Sequence, residues 1–228
     1  VQLFEWLYQK RIKTIEEATN LKKETREQLK KDFSFQNITI TSVEEGEGVK
    51  KYLFTLNDQE HIEAVLMYHD YGLSLCISSQ VGCNMGCAFC ESGRRKKVRN
   101  LTTGEMVEQI LQIEESCGER IRHVVVMGIG EPFDNYDNVC KMIQIINHPK
   151  GLNIGARHIT VSTCGIVPKI REFSDFPYQV NLAVSLHAPN DTLRKALMPI
   201  AKVYPLKELM EALEEYEKKT SRRLTFEY

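Results

Sequence analysis

The sequence predicts an α/β fold: an open, incomplete barrel of parallel βα units, preceded by a β-stranded extension and a small N-terminal helical module. Three observations carry this. Apolar strand-like runs alternate with helical spacing from residue 73 onward, apolar residues recur at every second position over 36–78, and the first 33 residues hold only short helical pieces. Alternation of strands and helices with apolar strand runs marks a parallel sheet covered by helices.

The elements follow in order. "LFEWLY" is a short helical piece, Thr14 followed by Glu17 is a capping box, and "LKKETREQLKKDF" has helical spacing, which places a helical module over 1–35. "NITITSV", "VKKYLFTL" and "IEAVLMYH", separated by Gly, Asn and Asp turns, read as antiparallel strands of an extension over 36–72. From 73 to 228 the order is strand "LSLCISS", a cysteine loop, a helix opening at Thr102 with Glu105, strand "HVVVMG", helix "DNVCKMIQII", strand "ARHITVSTCG", a short helix, strand "VNLAVSLHA", helix "PLKELMEALEEYEKK" and strand "LTFEY". In the last helix Leu206, Leu209, Met210, Leu213 and Tyr216 share a face that packs on the core. Five strands are too few for a closed eight-stranded barrel of ~250 residues but suffice for most of an open one.

Composition narrows the class. The chain has 228 residues, 42% hydrophobic and 27% charged, which suits a globular core; 30 Lys and Arg against 31 Asp and Glu leave a net charge of -1. Any nucleic-acid binding must therefore come from local patches. Seven cysteines, three of them within eight residues, fit a reducing cytoplasm better than a secreted disulfide framework. No stretch approaches the ~20 apolar residues of a membrane span, and "VQLFEWLYQKR" lacks the layout of a signal peptide. Because the chain begins without Met and stops inside a strand-like run, it is expected to be an internal piece of a longer protein.

"VGCNMGCAFCESGRRKKVRN" sets Cys83, Cys87 and Cys90 four and then three residues apart, followed at once by a basic run over 94–99. Three thiolates on one glycine-containing loop can converge on a single centre. No fourth cysteine or histidine sits at the spacing of an ordinary zinc site. Three ligands on a four-iron cluster would leave one iron open to a further ligand. Beyond the loop, Gly128, Gly130 and Glu131 in "VVVMGIGEPFDN", Ser162 in "TVSTCG", and Ser185, Leu186 and His187 in "AVSLHAP" each close a strand. Barrel-like folds collect their sites at such strand ends. Read singly, His187 is an ordinary structural histidine, Cys76 a buried strand thiol and Glu63 an ordinary strand carboxylate.

The C-x-x-x-C-x-x-C spacing resembles the signature of the radical S-adenosylmethionine (SAM) superfamily. Together "LCISSQVGCNMGCAFC", "RNLTTGEMVEQI", "VVVMGIGEPFDNYDNV", "GARHITVSTCGIVPKI" and "SLHAPND" look like its bacterial adenine-C2 methyltransferase family, which acts on 23S rRNA and on tRNA. The resemblance implies a partial (β/α)6 barrel, with five of six strands present here. It implies that Cys83, Cys87 and Cys90 hold a 4Fe-4S cluster, and that Gly130, Glu131, Ser162, Ser185, Leu186 and His187 contact SAM. It assigns Cys76 as the second catalytic cysteine and Glu63 as the proton acceptor. In that family a cysteine near the carboxyl terminus is methylated by one SAM. A radical from a second SAM then takes hydrogen from that methyl, the carbon radical adds to the base, and another thiol resolves the adduct, which brings a disulfide into the cycle. The methyl-carrying cysteine is expected beyond Tyr228. The resemblance further implies a flavodoxin-type electron donor, a cytoplasmic setting and no membrane. The basic run and the lysines and arginines of the helical module are candidate RNA contacts. Two rivals stay open: a related adenine-C8 methyltransferase of antibiotic-resistance type, and a non-catalytic zinc-bound RNA-binding module.

Overall fold

The computed structural model describes residues 2–228. Helix α1 (Gln2–Tyr8), a 3-10 turn at Ile15–Glu17 and α2 (Lys23–Asp32) form the N-terminal module. The Thr14–Glu17 capping box is present. Ile12, Ile15 and Ala18 are its buried centre, with Leu3, Trp6, Leu7, Leu21, Leu29 and Phe35 packed around them.

Strands β1 (Ile38–Gly46), β2 (Val49–Leu56) and β3 (His61–His69) form an antiparallel meander that continues into β4 (Gly72–Cys76). Alternation produces this: Tyr52, Phe54, Leu56, Ile62, Ala64 and Leu66 are buried while their neighbours face the other side. Two short strands, β5 (Gln80–Val81) and β6 (Arg99–Asn100), then pair with each other and close the cysteine loop at its base.

The βα units follow as α3 (Thr103–Cys117), β7 (Ile121–Val126), α4 (Tyr136–Asn147), β8 (Ile159–Thr163), α5 (Val167–Phe173), β9 (Asn181–Ser185), α6 (Asp191–Leu197), α7 (Leu206–Thr220) and β10 (Leu224–Glu227). The pairs β4–β7, β7–β8, β8–β9 and β9–β10 are all parallel, so the five expected barrel strands are present in sequence order. The meander is no separate sheet. All eight long strands belong to one sheet of order β1-β2-β3-β4-β7-β8-β9-β10, because β3 pairs directly with the first barrel strand.

Helix α3 begins where expected: the Thr102 hydroxyl accepts from the Glu105 N–H, and the Glu105 carboxylate reaches back to the Thr102 N–H at 2.7 Å. In α7 the buried stripe is Leu209, Ala212, Leu213 and Tyr216, with Leu206 and Met210 flanking it half-buried. Each fully buried large apolar side chain contributes roughly 1.5–3 kcal/mol. Helix α6 escapes the sequence reading because it is short; its start is marked by Asn190, whose side chain accepts from the Leu193 N–H. Among the described residues no helix is long and apolar enough to cross a membrane.

Candidate active site

The cysteine loop spans 82–98 and is held from three sides. At its base β5 pairs with β6, and the N–H of Cys83 donates to the Arg95 carbonyl at 3.0 Å. In its middle, the N–H of Cys90 donates to the Cys87 carbonyl and that of Gly93 to the Cys90 carbonyl, both at 3.1 Å. On its far side, the Ala88 N–H donates to the Leu197 carbonyl of α6 at 2.8 Å. Gly82 has φ +72, and a Cβ there would overlap the Lys96 carbonyl. Only glycine closes the loop so tightly.

Pairing register brings the other residues to one face of the sheet. Cys76 stands opposite Val65 on β3 and Val125 on β7, and Glu63 lies two positions from Val65. Ser162 stands opposite Ala183, two positions from Ser185, and Ser185 opposite Glu227. Val125 pairs with Thr160, two positions from Ser162. Partners in register share a face and side chains alternate, so Glu63, Cys76, Ser162, Ser185 and Glu227 line the same side. The hydroxyls of Ser162 and Ser185 both donate to the Glu227 carboxylate, at 3.1 Å and 2.8 Å. Leu186 and His187 follow directly, their N–H groups donating to the Glu227 carbonyl. His187 takes the left-handed conformation, φ +51, and its ring meets Phe89 of the cysteine loop edge to face at 4.6 Å.

Glu131 is 3% exposed. Its carboxylate accepts from the N–H of Phe133 at 3.0 Å, the hydroxyl of Thr163 at 2.7 Å and the N–H of Cys164 at 2.7 Å. Burial pushes its pKa up against these donors, which favour the charged form. Its own side chain thus clamps β7 to β8. Gly130, with φ +110, leaves no room for a Cβ, which would come within 2.6 Å of Gln80. Gln80 is itself buried, accepting from the Glu131 N–H and donating to Asn100 and Asp134.

The thiols feel their burial. Cys76 and Cys87 are pushed up to about 11, Cys87 also by Cys83 and Cys90, and Cys83 is raised in the same direction. Cys164, read from sequence as incidental, is buried against Glu131 and within electrostatic range of Cys83 and Cys87. The disulfide that the resemblance implies is not found. All seven cysteines are free, and the strand neighbours of Cys76 in register are valines.

The basic run is largely spent within the fold. Arg95 pairs with Glu60, Lys97 with Asp134 at 2.6 Å, and Arg99 with Asp58 at 2.6 Å and Glu105 at 2.8 Å. These pairs tie the loop to the β2–β3 turn and to the start of α3. Several cations of the helical module are likewise paired, Arg11 with Glu114, Lys13 with Glu115 and Lys30 with Glu16. Gln80, Arg194 and Glu227 are the residues that the sequence reading missed. Each is a polar group whose setting depends on partners distant in sequence.

The donor set fits an iron–sulfur centre. Three thiols lie on one pinned loop beside a rim of polar strand ends, while no three His, Cys, Asp or Glu groups converge at single-ion distance among the described residues. A cube of iron and sulfide spaces its cysteines more widely than one ion does. A four-ligand zinc site, the basis of the binding-module alternative, is not assembled.

Known proteins agree with this geometry. A family model described as the radical SAM superfamily matches residues 77–227. The probable dual-specificity RNA methyltransferase RlmN of Listeria monocytogenes is 54% identical over 233 residues, covering 100% of this chain and 64% of its own length. The proteins of the same name from Lysinibacillus sphaericus and Spiroplasma citri are 54% and 51% identical, with 61% and 67% of their lengths covered. The chain thus spans about two thirds of the length of these curated relatives. The crystal structure of a radical SAM methyltransferase from Sphaerobacter thermophilus superposes with a TM-score of 0.92 at 41% identity, covering 100% of this chain and 68% of that one. With five parallel strands in sequence order and a pinned three-cysteine loop after the first of them, the chain belongs to the radical SAM superfamily, whose members use a 4Fe-4S cluster and SAM, and within it to the family of the RlmN-named proteins.

Proposed function

We propose that this chain is the main part of a methyltransferase that places a methyl group on C2 of an adenine in 23S rRNA and in tRNA. The observation that carries this is the single sheet face shared by Glu63, Cys76, Ser162 and Ser185, with His187 after the Ser185 strand end touching Phe89 of the cysteine loop. The relatives are named as dual-specificity RNA methyltransferases, and the match extends over the whole chain.

In this reading Cys83, Cys87 and Cys90 hold the cluster, which with SAM supplies a 5'-deoxyadenosyl radical. The other residues bind, orient and move protons. Gly130, Glu131, Ser162, Ser185, Leu186 and His187 form the SAM contact surface. Glycine at 130 lets the chain pack closely on Gln80, and Phe89 holds the His187 ring edge to face. Glu63 is half-buried, with Lys51 at 3.6 Å, and takes the C2 proton as general base. Cys76, as the thiolate, attacks the sulfur of the methyl-carrying cysteine; a sulfur–sulfur bond forms as the sulfur–carbon bond to the base breaks, and the freed carbon keeps that electron pair and takes up a proton to become the methyl group. Residues 1–35 act as an RNA-contacting module, 36–72 as an extension and 73–228 as the partial barrel. A flavodoxin-type donor supplies electrons in the cytoplasm.

The test is expression of the complete gene in cells lacking their own adenine-C2 methyltransferase, followed by nucleoside mass spectrometry of rRNA and tRNA. Return of 2-methyladenosine supports the reading. Formation of 8-methyladenosine, or of neither, overturns the C2 assignment.

A further inference from the structure

Arg194 has no role in the reaction described above, yet it is the largest fully buried side chain among the described residues, at 0% exposure. It sits in α6 and, among the described residues, forms no salt bridge or hydrogen bond with a carboxylate. One nitrogen, Nη2, donates to the Cys164 carbonyl at 2.8 Å and the Ser185 carbonyl at 3.3 Å. Nε and Nη1 are buried without a hydrogen-bond partner among the described residues. Asp191, one turn earlier, spends an oxygen on the Leu206 N–H. A buried charge lacking a hydrogen-bonded anion is costly, so its retention calls for a compensating anion.

The cysteine loop supplies one. It docks on the end of α6 through the Ala88–Leu197 hydrogen bond, and Gly86 faces Pro199 just beyond that helix. Cys164, the Asp191 carboxylate and Cys87 lie within electrostatic range of the guanidinium, and of these only Cys87 belongs to the cysteine loop. Three thiolates outweigh the positive charge of an oxidised four-iron cluster by one, and reduction adds a second negative charge. Net charge and nearby donors are what set the potential of such a centre.

We propose that Arg194 is the buried cation that stabilises the reduced form of the centre held by Cys83, Cys87 and Cys90, acting as a positioning residue for electron entry. This rests on the cluster assignment made above. The electron comes from a low-potential one-electron donor, and the guanidinium changes no bond; it offsets the added charge. The Nη2 hydrogen bonds stitch β8 and β9 to α6, and that structural part of the role belongs to the same side chain.

The test is an anaerobic redox titration of the reconstituted holoprotein, followed by the EPR signal of the reduced cluster, in wild type, R194M and R194K. R194M keeps an apolar stem and loses the charge; R194K keeps the charge. The proposal expects R194M to bind iron in wild-type amount and to be at least about tenfold harder to reduce, a potential lower by ~59 mV for one electron, with R194K restoring most of the shift. An R194M cluster at the wild-type potential overturns the role of Arg194. A wild-type protein that takes up no four-iron cluster overturns the cluster assignment instead. If R194M does not fold, R194Q set against R194K reads the same difference.

Discussion

The two rims of the parallel strands carry polar side chains under opposite conditions. At the amino rim lies a concavity of about 970 Å³ lined by Asp70, Tyr71, Arg120, Arg122, His123 and His158. Its histidines touch, Nδ1 to Nδ1 at 3.2 Å, and its polar atoms are largely open to water. At the carboxyl rim Gln80, Glu131, Asn135, Ser162 and Arg194 are buried. Most of their polar atoms are tied across strands. Volume therefore does not mark the site; the expense of burying polar groups does, because such groups persist only where partners or ligands compensate them.

The largest expected effect sharpens that contrast. Replacing Cys83, Cys87 or Cys90 by Ala should abolish both cluster retention and methylation, read as iron content and product; a variant that keeps its iron would move the centre elsewhere. Next comes Cys76. Since burial holds its pKa at about 11 against an ordinary thiol value of 9.0, its thiolate fraction is small at neutral pH. Its alkylation rate should rise about tenfold per pH unit up to that value. The same shift favours the folded state of the cluster-free protein below pH 9, and that stability is lost as pH rises toward 11. Glu131→Gln would set an amide donor against the donors of Thr163 and Cys164, at a cost on the order of 2–4 kcal/mol in urea unfolding. The smallest effect is expected at the other rim: His123→Ala should change stability by no more than ~0.5 kcal/mol and leave activity untouched. A large loss of methylation in that variant would break the contrast between the rims.

Much of this was legible in the sequence. The Thr102–Glu105 box, the alternation in β2 and β3 and the cysteine spacing are local signals, and local signals survive folding unchanged. The position of Glu63 beside Cys76 was not local. It depends on the register of β3 against β4, which the family resemblance supplied and periodicity did not. The pairing of the basic run is not local either. Its partners Asp58, Glu60, Glu105 and Asp134 come from three other segments, and nothing within 94–99 shows that its charges are already matched. Arg194 was invisible because a helix-facing arginine reads as solvent-exposed unless its neighbours are known.

The short β5–β6 ladder has an energetic meaning. By bringing residues 81 and 99 together, it offsets part of the entropy of closing the cysteine loop with backbone hydrogen bonds, without calling on the thiols. Small zinc domains, by contrast, gain their fold from the ion and collapse when it is removed. Here backbone hydrogen bonds and ion pairs brace the loop independently of its thiols, so a chelator should strip the iron and leave the sheet standing.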